Sequence, residues 1–205
     1  MRAVVFDVGS TIVDERRVIG AWAERLGVTV EEFFATLGAV IERRHDHRQL
    51  FESLRPGYAL DRDDRLYYDA CDLFADTRPC LDVLREAGYT LAVAANQPAR
   101  TEELLRGLDL PLDLIATSES WGLEKPDPGF FARLVAELGV DPAEIAYVGD
   151  RVDNDVVPSV AARMVSVFIR RGPWGFVQAG WPEAAQAHAR IDSLLELRDA
   201  LASLP

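Results

Sequence analysis

Ala3-Val4-Val5-Phe6-Asp7-Val8-Gly9-Ser10-Thr11 is the stretch on which the fold turns. Its opening apolar run does not alternate with polar residues, so it reads as a strand covered on both faces, and such strands belong to parallel sheets. The run breaks at Asp7 into a turn of small and polar residues, which places an ionisable group at a strand's carboxyl end. Comparable runs recur at 90–95, 113–117, 145–148 and 164–169, and helical stretches at 79–86, 99–107 and 128–138 lie between them. A further short helix is expected near Ala143, where Asp141-Pro142-Ala143-Glu144 sets an N-cap, an N1 proline and an N3 glutamate in order. Strands alternating with helices predict the α/β class: a Rossmann-like parallel sheet core with helices on both faces, closed by a helix at 193–201.

About 80 residues separate Phe6 from the second run at Thr90, where a βαβ unit needs about 30. The excess reads as an insertion. Within it Val30, Phe33, Phe34, Leu37, Val40 and Ile41 recur at helical spacing behind the capping sequence Thr29-Val30-Glu31-Glu32. Gly27 and Arg55-Pro56-Gly57 punctuate the segment into about four helices. The expected organisation is a Rossmann-like core of residues 1–13 and 76–205 carrying a small all-helical cap domain at 14–75.

Composition narrows the function. The 205 residues include 34 acidic and 22 basic ones, a formal charge of −12, and an acidic surface of that kind repels nucleic-acid backbones and anionic membranes. No apolar run approaches the length of a membrane span, and Cys71 and Cys80 lack metal or secretory spacing, so free thiols and a cytoplasmic setting are expected. Of the 22 basic residues 21 are arginine, which leaves Lys125 as the one position that resisted the bias.

Ligands of open parallel sheets bind at the carboxyl ends of the strands, so the residues following each run carry the chemistry. They are Asp7, Gly9 and Thr11 after the first run, Asn96 after the second, Lys125 ahead of the fourth, and Asp150 and Asp155 after it. A carboxylate pair with a backbone carbonyl makes a hard oxygen site suited to Mg²⁺, and Thr11, Asn96 and Lys125 can surround a phosphate. Asp153, between the two later aspartates, reads equally as a solvated carboxylate or an N-cap.

With these segments in this order, the chain resembles the haloacid dehalogenase-like hydrolase superfamily, and the insertion falls where that superfamily carries helical caps. The resemblance implies that Asp7 is the nucleophile, forming an aspartyl-phosphate. Thr11 and Asn96 would bind the transferring group, and Lys125 would balance charge as a catalytic residue. Mg²⁺ would be held by Asp7, Asp150, Asp155 and the carbonyl of Gly9, and the substrate would be a small phosphorylated metabolite.

Two positions depart from the superfamily pattern. Gly9 stands where its phosphatases carry the aspartate that protonates the leaving group, a contribution typically worth about 10²–10⁴-fold. Ala95 stands where a Ser or Thr hydroxyl precedes Asn96. These losses imply slow turnover, and they leave two alternatives: a 2-haloacid dehalogenase-type hydrolase, or a catalytically impaired protein that binds a phosphate ligand. The cap residues Arg43, Arg44 and Arg48 suggest an anionic ligand, while His45 and His47 among them read as a solvated face or a replacement acid. Arg170-Arg171-Gly172-Pro173-Trp174-Gly175, after the fifth run, reads either as a rigid surface loop or as an arginine fork with an aromatic wall.

Overall fold

The computed structural model describes residues 1–58 and 68–204. Among these, β1 Ala3–Phe6, β2 Thr90–Ala95, β3 Leu114–Thr117, β4 Ile145–Gly149, β5 Val165–Ile169 and β6 Ala189–Ile191 form one sheet in the order β3-β2-β1-β4-β5-β6. Every pairing is parallel, and α5 (Arg100–Gly107), α6 (Ser118–Trp121) and α8 (Val157–Ala161) lie on the crossovers. β1 lies between β2 and β4, so the strand order reverses at its edge, and this is where an open sheet leaves a crevice.

The continuous apolar runs follow from burial on both sides. Val4 and Phe6 of β1 pack with Leu91, Val93 and Val148 under α4 (Thr77–Glu86) and α10 (Leu197–Ala202). Their neighbours Ala3 and Val5 face the other way with Ala92, Ala94 and Tyr147, covered by Phe130, Phe131 and Leu134 of α7 (Pro128–Leu138). The register aligns the strand ends: Phe6 pairs with Val93 and Val148, and the Asp7 amide then donates to the Val148 carbonyl at 2.9 Å. Asp7 and the loop after β4 therefore emerge side by side.

Some expectations change in detail. The helix expected near Ala143 is a single 3-10 turn, Pro142–Glu144, capped by the Asp141 carboxylate at 2.9 Å, because β4 begins at once. The closing segment is a 3-10 turn at Leu194–Glu196 running into α10. β6 carries no apolar run, since its middle residue, Arg190, is exposed at the sheet edge.

The insertion holds α1 (Arg16–Leu26), α2 (Val30–Glu42), α3 (Gln49–Leu54) and a 3-10 turn at Ala70–Asp72. α2 starts where expected, with Thr29 accepting from the Glu32 amide at 3.1 Å. The remaining part of the helical reading, 59–67, lies outside the described residues. Val18, Trp22, Phe33, Leu37, Ile41 and Leu50 form a core of the insertion's own, and Trp174 and Val177 of α9 (Gly172–Gln178) pack against it. The two connections run together: the Asp14 amide donates to the Asp72 carbonyl at 2.7 Å and the Phe74 amide to the Ile12 carbonyl at 3.1 Å.

Asp76 pins the return to the sheet. Its carboxylate accepts from Arg171, from the Ser193 hydroxyl at 2.8 Å and from the Leu194 amide at 3.0 Å. Burial pushes this carboxyl up, but these donors outweigh it and hold it below the usual range. A group depressed on folding contributes stability above its unfolded value and loses it as pH falls. Asp76→Asn should therefore lower stability at neutral pH, with a shrinking difference from wild type as pH drops below about 4, as urea unfolding at several pH values would show. A difference that stays constant with pH would mean that the carboxylate charge is not what matters.

Candidate active site

Lys125 is positioned from β2. The Asn96 side chain donates from Nδ2 to the Lys125 carbonyl at 2.8 Å and accepts from the Lys125 amide at 2.7 Å, so one amide group fixes the lysine backbone at two points. From there Nζ donates to Asp7 Oδ1 at 2.7 Å and to Asp155 Oδ1 at 2.6 Å. The ammonium is buried, with the Tyr147 ring centroid 5.4 Å away. Burial alone would lower its pKa, but Asp155 and Asp7 more than compensate and keep it charged.

Asp7, Asp150 and Asp155 each offer a carboxylate oxygen within 4.8 Å of the others, and all three residues are buried. Asp155 hangs from a π-type turn, Val152–Val156, and its second oxygen accepts from the Arg151 amide at 2.9 Å. Room for it comes from Gly149, where a Cβ would lie 2.3 Å from the Asp155 carboxyl carbon. Asp150 differs, because its Oδ2 is buried with no hydrogen-bond partner among the described residues. Burial, then Asp7, Asp155 and Glu15, push its carboxyl well up, and burial raises that of Asp155 to about 6 against the pull of Lys125. Three buried carboxylates facing one ammonium leave a surplus of negative charge, and an unpartnered carboxylate oxygen among them suits a hard divalent cation. The residues present fit Mg²⁺.

Above this floor is a chamber of about 330 Å³. Asp7, Gly9, Asn96, Lys125 and Asp150 line its base, and Val18, Ile19, Trp22, Phe33, Leu37 and Phe51 of the insertion line its roof. Trp174 closes one wall, with the Arg151 guanidinium stacked 3.7 Å from its ring. Glu15, absent from the expected site, stands in the chamber beside Gly9, where it accepts from the Ser10 hydroxyl at 2.8 Å and the Tyr68 hydroxyl at 2.8 Å. Burial, with Asp7 nearby, raises its carboxyl pKa despite those bonds. Its sequence position gave no signal, since it follows the motif turn by several residues and returns only because the chain folds back through Ser10, whose φ is 53°.

The structure thus brings Asp7, Gly9, Asn96, Lys125, Asp150 and Asp155 together at the strand ends. Thr11 is not among the residues that line the chamber: it is fully buried, and its hydroxyl has no partner among the described residues. Asp153 is engaged elsewhere, pairing with Arg151 at 2.7 Å and Gln178 at 3.1 Å. These three basic residues of the insertion do not reach the chamber: Arg44 forks onto Glu183 at 2.9 Å, Arg48 pairs with Asp46 at 3.3 Å, and Arg43 is exposed. Nor does the arginine fork form, since Arg170 pairs with Asp192 at 2.8 Å and Arg171 is bound to Asp76 and to the Thr11 carbonyl. Of that segment only Pro173 and Trp174 line the chamber, and of the two histidines in the insertion only His47 does.

Residues 1–162 match the haloacid dehalogenase-like hydrolase family. A glyceraldehyde 3-phosphate phosphatase of Methanopyrus kandleri is 32% identical over 200 residues, covering 85% of this chain and 86% of that protein. A ribulose-1,5-bisphosphate 5-phosphatase of Halopiger xanaduensis is 32% identical over 158 residues, covering 72% of this chain and 65% of that protein. Among solved structures, a HAD phosphatase from Thermococcus onnurineus superposes with a TM-score of 0.65 at 27% identity, across 100% of this chain and 99% of that one. A match through the motif strands and an alignment through nearly the whole length of a relative make the chain a hydrolase of the haloacid dehalogenase-like family.

Proposed function

We propose that the chain is a Mg²⁺-dependent phosphohydrolase acting on a small phosphorylated metabolite through Asp7. The observation that carries this reading is the charge arrangement at the strand ends. Lys125 binds Asp7 and Asp155, while Asp150 keeps a buried oxygen without a partner. A halide-displacing site has no use for that surplus of carboxylate, and the phosphatase relatives point the same way.

Asp7, Asp150 and the Gly9 carbonyl would hold the cation, with Asp155 orienting the group from behind. When bound, Mg²⁺ supplies positive charge against the phosphoryl oxygens and shields Asp7 from repelling its anionic substrate. Lys125 fixes the Asp7 carboxylate for attack at phosphorus and neutralises charge as the aspartyl-phosphate forms. Asn96, whose Nδ2 spends one hydrogen on Lys125, has a second to offer a phosphoryl oxygen. Water then attacks the phosphoryl group and frees Asp7. The helices of 14–75 act as the cap over the body of 1–13 and 76–205. Their apolar roof favours a compact, weakly polar organic group on the phosphate. Among the described residues no helix is long and apolar enough to cross a membrane, and the unbridged Cys71 and Cys80 accord with a cytoplasmic setting.

Phosphate release from acetyl phosphate and p-nitrophenyl phosphate should depend on Mg²⁺, stop in EDTA and fall to background in Asp7→Asn. No Mg²⁺-dependent release above the Asp7→Asn level would sink the reading. Halide release from a 2-haloacid in EDTA would put a dehalogenase in its place, and tight phosphate-ligand binding without turnover would mark an impaired binding protein.

Replacing Lys125 should be costly in two ways. Lys125→Met strands the Asp7 and Asp155 carboxylates, a loss of about 3–5 kcal/mol for a broken buried pair, together with turnover. Lys125→Arg should fail too, because a planar fork cannot take the place of a compact ammonium held 2.7 and 2.6 Å from two carboxylates. Urea midpoints and phosphate release measure the two effects, and an active, stable Lys125→Arg enzyme would contradict this account.

A further inference from the structure

Transfer of a phosphoryl group to Asp7 leaves an alkoxide unless a proton reaches the departing oxygen, and Gly9 offers none. Few groups in the chamber can supply it. Asp7 is the nucleophile, Asp150 is committed to the cation on the phosphohydrolase reading, both Asp155 oxygens are taken by Lys125 and the Arg151 amide, and Lys125 is committed to two carboxylates. Arg151 does not release protons. The Tyr68 hydroxyl spends its hydrogen on Glu15, and His47 sits at the roof, 3.5 Å from Asp46 and edge-on to Trp174.

Glu15 remains, and its placement is specific. A Cβ built on Gly9 would fall 2.8 Å from Glu15 Oε1, 3.0 Å from its carboxyl carbon and 3.1 Å from Oε2. The carboxyl group thus fills the space that a side chain at position 9 would enter. It is held there from two sides: Ser10 Oγ donates to Oε2 at 2.8 Å, Tyr68 donates to Oε1 at 2.8 Å, and Gln97 supports the Tyr68 oxygen at 3.2 Å. Ser10 is in turn backed by Gly172, where a Cβ would overlap Ser10 Oγ at 2.2 Å. Each Glu15 oxygen keeps a second lone-pair direction for the chamber it lines.

Resting on the phosphohydrolase reading, we propose that Glu15 is the general acid and base of this site, reaching back over Gly9 from the start of the insertion. In the first step the Asp7 carboxylate bonds to phosphorus, the ester P–O bond breaks, and the Glu15 proton goes to the departing oxygen. The products are an alcohol, the aspartyl-phosphate and a Glu15 carboxylate. In the second step water bonds to phosphorus, its proton passes to Glu15, and the Asp7–phosphorus bond breaks to give inorganic phosphate. Both carboxyl groups end as they began.

The test varies the leaving group. A nitrophenolate departs with little help, whereas an alkoxide needs the proton. Glu15→Gln keeps shape and hydrogen-bonding capacity, so it should lose about 10²-fold or more in kcat on a phenethyl phosphate, with KM nearly unchanged, and far less in the first-step rate on p-nitrophenyl phosphate. Since Gly9→Asp alone competes with Glu15 for one space, it should not improve the enzyme. Gly9→Asp combined with Glu15→Ala should recover alkyl-phosphate turnover relative to Glu15→Ala, which a merely structural Glu15 would not allow. Equal losses on both substrates, or a leaving-group-dependent loss in His47→Gln instead, would overturn the assignment while the Asp7 reaction stands. A wild-type enzyme inert toward both esters, and indistinguishable from Asp7→Asn, would remove the phosphohydrolase reading and Glu15 with it.

Discussion

The buried ammonium of Lys125 organises the molecule's catalytic edge. It joins the end of β1, through Asp7, to the turn after β4, through Asp155, while its own backbone is clamped by Asn96 at the end of β2. Three strand ends thus converge on one cation, and the parallel register that sets them level is what makes the convergence possible. The requirement spreads outward. Gly149 lacks a side chain so that the Asp155 carboxylate can lie across it, and Tyr147, donating to the Ala94 carbonyl at 2.6 Å, braces β4 against β2 beneath the lysine. Because one ammonium cannot balance the acids around it, the edge retains a negative surplus in a poorly solvated place.

A different logic governs the roof. The insertion buries its own apolar core, yet Trp174 and Val177 of α9 and the following Trp181 pack against that core from the sheet side. The chamber is therefore polar below and apolar above, with Trp174 and Arg151 stacked at the seam. Of the arginines of the α2–α3 region, which in the sequence suggest an anionic ligand, Arg44 fastens the surface. Arg44 forks onto Glu183 and lies 4.1 Å from the Trp181 ring centroid.

The strands of the sheet's interior were legible because burial on both faces leaves continuous apolar runs, and the motif residues were legible because they follow those runs directly. β6 left no such trace, being three residues long at an edge with Arg190 in its middle. Glu15 was illegible for another reason. Its relation to Gly9 is made by a loop in which the Val13 amide donates to the Val8 carbonyl at 3.0 Å and the Ser10 amide to the Val13 carbonyl at 2.8 Å. Only that folding back brings residues 9 and 15 face to face. The destinations of the arginines are likewise decided by which acid lies within reach in space, and composition says nothing about that.

A chain with 21 arginines and one lysine has an unusual chemical surface. The lysine side chain is 2% exposed and is held between two carboxylates. Reagents that acylate primary amines need an unprotonated, accessible nitrogen, and the ε-amine here meets neither condition. Dyes, cross-linkers and activated resins aimed at lysine amines would find no purchase on the folded body. Guanidinium-directed dicarbonyls would instead decorate the surface in many places, and the same composition leaves the folded protein without an exposed lysine for acetylation or ubiquitin attachment.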